Sequence, residues 1–419
     1  MLDRQITSFF EQEKKSILAD LEKLIAFRSY SEDRDCCKAA LAFVLSRAEE
    51  MGFVTKLGRH KDVGIVELGD SPQSIGILVH VDVVGEGELE LWKTDPFQMT
   101  IVDDVLCGRG VVDDKGPVIT CLYAMKFIKE NKIPLKRKIM LIIGTSEEVQ
   151  WTDMEHYKEE FTLPDYGFSP DGNFPVYNQE NGYMDFELAF YEEALDGDED
   201  IQGGTAVNSV PSGASYCKDG EVVRFLGKAA HSSTPEQGEN AICLLCKSLA
   251  QDGRYSFAEF VEKFFPEGAY ASKFQFGKDK LLTIIPTTMW QNGKKVTINF
   301  NVRHRYDLPA GVILDEMRAH QGEYGYTLHV AEQLNPIRVD ENLPWMERIR
   351  AITEKYGMDG NPLLGPGCSY AKSMPNFIPW GPVFPEDPDC AHMENECQPL
   401  ESFLRSGLIY TEYIIGEVT

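Results

Sequence analysis

SIGILVHVDVV (residues 74–84) begins as an almost unbroken run of Ile, Leu and Val and carries His80 and Asp82 toward its far end. A run this short and this apolar reads as a strand buried on both faces, which is the habit of parallel sheets. KIMLIIGTSEE (residues 138–148) repeats the pattern and finishes on Glu147 and Glu148. Between the two, GPVITCLYAMKFIKEN (residues 116–131) spaces its apolar residues as a helix does. Strand, helix and strand in that order predict an α/β fold with a doubly wound, mostly parallel sheet. Such sheets carry their sites at the carboxyl ends of the strands.

Outward from this core, the N-terminal stretch to about Leu24 and residues 38–51 read as amphipathic helices. From about Asn181 the texture changes to alternating strands, MDFELAFYEEA, EVVRFLGK and KKVTINFNVRHRY, with helices expected near residues 240–250 and 312–320. This is the pattern of an inserted α+β domain. Helical periodicity resumes in WMERIRAITEKYG and ESFLRSGLIYTEYIIGEV. The expected division is therefore residues 1–180 with 336–419 as one domain and residues 181–335 as the insertion. EEALDGDED (residues 192–200) reads as a solvated loop.

A chain of 419 residues is long enough for two cores. Its 41 basic and 67 acidic residues give a net charge of -26, which repels nucleic acid and anionic membrane surfaces. No stretch approaches the roughly 18–20 apolar residues of a membrane span, and the start reads as a charged amphipathic helix, not a secretion signal. Ten cysteines without dense disulfide spacing point to a reducing compartment, and the cytoplasm is expected. Cys243 and Cys246 form a C-x-x-C inside the apolar helix AICLLCKSLA, without a second pair or a nearby histidine, and read as core thiols.

Polar residues are stationed where the apolar strands end. His80 and Asp82 close one strand, Glu147 and Glu148 another, Asp113 and Asp114 follow the Gly-rich GRGVVDDKG, and Asp171 follows YGFSP. Unpaired buried charge costs several kcal/mol, so such a cluster needs a compensating partner, and a divalent metal is the simplest. Histidine with carboxylates suits zinc, manganese or cobalt, and a bridging carboxylate can hold two ions ~3.5 Å apart for hydrolysis. GRGVVDDKG is a poor dinucleotide loop, because it lacks a third glycine and would set carboxylates against a pyrophosphate.

The ordered set HVDVV, WKTDPF, GRGVVDDKGP, GTSEE, FSPDGNFP and FPEDPDCAH resembles the M20 family of metallopeptidases over nearly the whole chain. That family includes dipeptidases, carboxypeptidases and N-acyl amino acid deacylases. Within it, FSPDGNFPVYNQENG is similar to the dipeptidase V group, whose members are Xaa-His dipeptidase-like. The resemblance implies a dinuclear hydrolase cleaving the amide bond of dipeptides, with two divalent metal ions per chain. Zinc is the first expectation, with manganese or cobalt as alternatives. It implies that His80 and Asp171 bind one ion, Glu148 and His392 the other, and Asp113 bridges them. It also implies that Asp82 orients the ligand histidine, Asp114 stabilises the Gly-rich loop, and Glu147 is the general base acting on water.

The same resemblance makes the insertion a ferredoxin-like lid. In it His231, within GKAAHSSTPEQGENAI, would donate to the developing oxyanion, while Asn208 and Arg303 hold the substrate and its carboxylate. His60, His156, His304, His320 and His329 match no motif. GCSYA, with Cys368, stands where the family usually has Gly-Gly-Thr-Tyr-Ala, and Gly85 and Val149-Gln150 are further departures, none of which removes a ligand. The alternatives are a deacylase or carboxypeptidase of the same chemistry, or a catalytically silent ligand-binding relative, which the presence of Glu147 disfavours. The partner is a small molecule. The size of the insertion favours a monomer over a homodimer.

Overall fold

The computed structural model describes residues 2–195, 199–232, 234–265, 283–365 and 368–419. These form two compact units. One comprises residues 1–179, 339–363 and 369–419, and the other residues 180–338 with 364–368.

The first unit is built on a six-stranded sheet in the order Val54–Leu57, Gly64–Leu68, Lys138–Gly144, Ser74–His80, Tyr166–Ser169 and Phe377–Pro379. The last four strands run parallel, and the two at the other edge pair antiparallel. All seven residues of Ser74–His80 are buried, and so is every residue of Lys138–Gly144 after Lys138. Unbroken apolar sequence is what covered faces require of these strands. The intervening helix, Lys115–Glu130, is buried on nearly every side, packing against the sheet and against Leu2–Ile25 and Leu400–Val418. Gly116 allows the turn before it to fold tightly, since a Cβ there would meet Val111 O at 2.0 Å.

The second unit is a seven-stranded antiparallel sheet in the order Glu221–Leu226, Gly213–Lys218, Asp200–Gly203, Thr283–Asn292, Lys295–His304, Gly182–Tyr191 and Tyr326–Leu334. The last four, with the helices Ala241–Ala250 and Ala310–Ala319, follow each other as strand, helix, strand, strand, helix, strand. This is the ferredoxin-like order, and the three remaining strands widen its sheet. Phe186, Phe190, Phe260 and Phe300 lie at the centre of its core, which also takes in Cys243 and Cys246.

Contrary to what its composition predicts, the acidic stretch of residues 192–200 is not solvated throughout. In EEALDGDED, residues 196–198 lie outside the described residues, but Glu192 and Glu199 are buried instead of solvated, at 3% and 5% exposure. Glu192 accepts hydrogen bonds from the backbone N–H groups of Ser256 and Phe257 and from the Ser256 hydroxyl. It thereby caps the helix Ser256–Phe264 through a contact 64 residues away.

Candidate metal centre

Parallel register brings the expected ligands of the first unit to one level. His80 pairs with Gly144 and Ile77 with Phe168, so the chain leaves three neighbouring strands side by side just before Asp82, Glu147 and Asp171. Asp113 enters from the turn preceding Lys115–Glu130, and His392 from the loop of residues 390–397. His392 holds a left-handed backbone, φ 63°.

Asp113 lies between the two histidines. Its Oδ1 is 2.9 Å from His80 Nε2 and its Oδ2 is 2.9 Å from His392 Nε2. His392 Nε2 is also 3.0 Å from Glu148 Oε1, and His80 Nε2 is 3.8 Å from Asp171 Oδ2. Two sets, His80 with Asp113 and Glu148, and His80 with Glu147 and Asp171, each have ligand atoms within 4.8 Å of one another.

The donors fit a divalent cation. His80 Nε2 and Asp113 Oδ1 are 2.9 Å apart, yet both are buried atoms without a hydrogen-bond partner. The pair is close but not aligned for a hydrogen bond. Two buried lone-pair donors converging in this way are satisfied when a cation lies between them.

The electrostatics say the same. Burial, and then the charge of Asp171, push the Glu147 carboxyl well above its usual range. Burial and then Asp113 raise both Asp171 and Glu148. Asp113 itself is lowered, because its contacts with His392 and His80 outweigh burial. His392 is pushed up to about 11, first by Asp113 and then by Glu148. A pocket that crowds four acids around two imidazoles is short of positive charge.

Asp82 is buried and ties the cluster together. It accepts from the Ser31 hydroxyl at 2.7 Å and from the main-chain N–H groups of Glu147 and Glu148 at 3.2 and 3.3 Å. His80 Nδ1 lies 3.0 Å from the Asp82 main-chain oxygen and 3.4 Å from its carboxylate. Asp114 is buried and accepts the His80 main-chain N–H at 3.0 Å.

A residue that sequence reasoning missed holds the Asp113 turn. Glu396, fully buried, accepts from the N–H groups of Gly110, Val112 and Asp113 and pairs with the Arg109 guanidinium at 2.8 Å. Nothing in HMENEC distinguishes the glutamate that turns inward from its neighbours. Tyr370, from the GCSYA stretch, stands with its ring nearly perpendicular to that of His80, centroids 6.1 Å apart, and donates its hydroxyl to Asp153. Cys368 is partly buried, and Gly367 lies outside the described residues. Of the histidines that matched no motif, His156 lies 2.7 Å from Asp62 and stacks on His60, and His304 Nδ1 lies 2.7 Å from the Leu308 carbonyl.

Within the second unit, Ser209–Val210 pairs with Ala230–His231, and Asn208 O accepts the Ser232 N–H, so Asn208, in the turn before the first strand, lies beside His231 on the second. His231 is lowered by burial and then by the charge of Arg303. Arg303 is 9% exposed, its guanidinium 4.7 Å from the centre of the Tyr183 ring. Among the described residues no ion pair to a carboxylate is made by this cation.

A largely parallel α/β sheet whose strand ends and adjoining loops gather histidines and carboxylates around an aspartate that faces both histidines belongs to the class of metal-dependent hydrolases. The chain is a member of peptidase family M20/M25/M40, whose sequence model matches residues 76–415, and is a metallopeptidase. It is 26% identical to a Bacillus subtilis (strain 168) protein named "Putative dipeptidase YtjP", over 96% of this chain and 97% of that one. Its fold is shared with human carnosine dipeptidase 1, at TM-score 0.65, 15% identity and coverage of 99% and 98% of the two chains. It is likewise shared with the aminoacylhistidine dipeptidase of Vibrio alginolyticus, at TM-score 0.64, 12% identity and 96% coverage of each.

Proposed function

We propose that the protein is a cytoplasmic, monomeric dipeptidase that uses two divalent ions, zinc first among them, to hydrolyse the amide bond of dipeptides. The observation that carries this reading is the pose of Asp113, one carboxylate oxygen facing each histidine at 2.9 Å. In it His80 and Asp171 would hold one ion, His392 and Glu148 the other, and Asp113 would be shared. Ions bound there supply Lewis acidity and lower the pKa of water into the neutral range.

The chain's own residues do the rest. Glu147, its main chain anchored on Asp82, takes the proton from the attacking water and returns it to the leaving amine. Asp82 fixes His80 and both glutamates in one frame. The unit around residues 181–335 serves as the lid, with His231 donating to the oxyanion and Asn208 holding the substrate. Arg303, a buried cation beside Tyr183, takes the free carboxylate of the substrate. Dipeptides and N-acyl amino acids both offer that carboxylate, and the names of the relatives favour the dipeptide.

The test is a hydrolysis screen of free dipeptides, C-terminally amidated dipeptides and N-acyl amino acids, with zinc, manganese and cobalt added separately. Free dipeptides should be turned over fastest and the amidated ones poorly. Equal or faster turnover of N-acyl amino acids would replace the dipeptidase reading with that of a deacylase.

A further inference from the structure

The loop CAHMENEC, residues 390–397, opens and closes on a cysteine and carries His392 and Glu396 between them. Cys390 Sγ lies 3.1 Å from the Cys397 carbonyl oxygen and 3.2 Å from the Cys397 nitrogen, so its thiol donates to the one and accepts from the other. The first cysteine is thus folded onto the backbone of the last. Cys397 also stands opposite Cys107 in the antiparallel pairing of Cys397–Pro399 with Val105–Cys107. Gly108 N–H donates to Glu396 O in the adjacent pair, so Cys107 and Cys397 occupy the wider-bonded position where side chains come closest, and the Cys397 N–H points outward to Cys390. The Cys397 thiol interacts with both of its neighbours. All three are free thiols of intermediate exposure.

We propose that Cys390 and Cys397 form a reversible disulfide under a hydroperoxide, and that this bond switches the metal centre off. Hydrogen peroxide oxidises one thiol to a sulfenic acid and leaves as water. The second thiol attacks that sulfur, forming the S–S bond and releasing a second water, so that two thiols and one peroxide give one disulfide and two waters. To make the bond, Cys390 must abandon both backbone contacts and turn toward the Cys397 side chain. His392 is two residues along, its Nε2 2.9 Å from Asp113 and 3.0 Å from Glu148. Ligand distances tolerate only about 0.2 Å, so the turn withdraws a ligand. A Cys107–Cys397 link would only staple strands that are already paired.

The formation of the link stands apart from the proposed peptidase reaction, while its effect on turnover rests on that reading. The experiment treats the metal-loaded protein with hydrogen peroxide, maps disulfides by mass spectrometry of tryptic peptides, and measures bound metal and dipeptide hydrolysis before and after dithiothreitol. The expected result is a Cys390–Cys397 link, a loss of bound metal and a fall in turnover of about tenfold or more, all reversed by dithiothreitol. Cys390→Ser should remove the link and the peroxide sensitivity, and Cys107→Ser should leave both. A link confined to Cys107–Cys397, retention of both thiols, or equal inactivation of Cys390→Ser overturns the proposal. Should Cys390→Ser fold poorly, mapping of the wild-type protein still decides. A link with metal loss in a protein that hydrolyses no dipeptide would support the switch and sink the functional reading.

Discussion

Glu147 and Glu148 are consecutive, and their main-chain N–H groups rest on the same carboxylate of Asp82. Their side chains diverge. Glu148 meets His392 at 3.0 Å, while Glu147 shares a cluster with His80 and Asp171. Glu147→Gln should lower the catalytic rate by roughly a hundredfold or more with metal retained, as loss of a general base does. Glu148→Gln should lower metal occupancy. Rates together with metal analysis of the purified variants check both, and normal turnover by a metal-loaded Glu147→Gln would remove it from the reaction. Both positions were legible in the sequence, because strands of Ile, Leu and Val that finish in acids must compensate buried charge. Which acid would bridge and which would act as base is a distinction that the family resemblance alone supplies.

At the scale of elements, the strands and helices of the first unit follow from periodicity, and the α+β character of the second follows from alternation, whereas its ferredoxin-like order was implied by the family resemblance. What the sequence conceals is the buried charge that joins distant segments. Glu192 caps a helix from a stretch that looks solvated, and Glu396 holds the Asp113 turn from more than 280 residues away. Each is one acid among many in an acidic chain, and only its tertiary partner distinguishes it. Glu396→Ala leaves Arg109 buried without its partner, a loss on the order of 3–5 kcal/mol for a buried pair. It should also free three main-chain donors around Asp113. Denaturant unfolding should therefore show a clear drop in midpoint, together with weaker metal retention. An unchanged midpoint would mean that the turn is held by something else.

For the whole molecule, removal of metal by a chelator should abolish turnover, and metal analysis of active protein should find two divalent ions per chain. Undiminished activity in metal-free protein would remove the basis of the proposed chemistry. His231→Ala should lower the rate by roughly a hundredfold, the scale of losing one oxyanion donor, with both ions bound. Mixing inactive His231→Ala with inactive Glu147→Gln should give no recovery if His231 serves its own chain. Regained activity would instead place the histidine in a partner copy and make the enzyme a dimer. The sequence carries the insertion as a change of texture near Asn181, but a monomer and a dimer can share that texture.

The chain leaves the first unit at residue 179 and returns at 339, and this discontinuity orders assembly in time. During synthesis, His80, Asp113, Glu148 and Asp171 emerge before the insertion, and His392 and Glu396 only after it. The edge strand Phe377–Pro379 and the buried helix Leu400–Val418 also follow the insertion. A ribosome-bound chain thus holds most of the proposed ligand acids for the whole time that the second unit is being made, without the histidine and the buttress that complete the cluster. On the proposed ligand set, the full metal complement would load only after the second unit has been made.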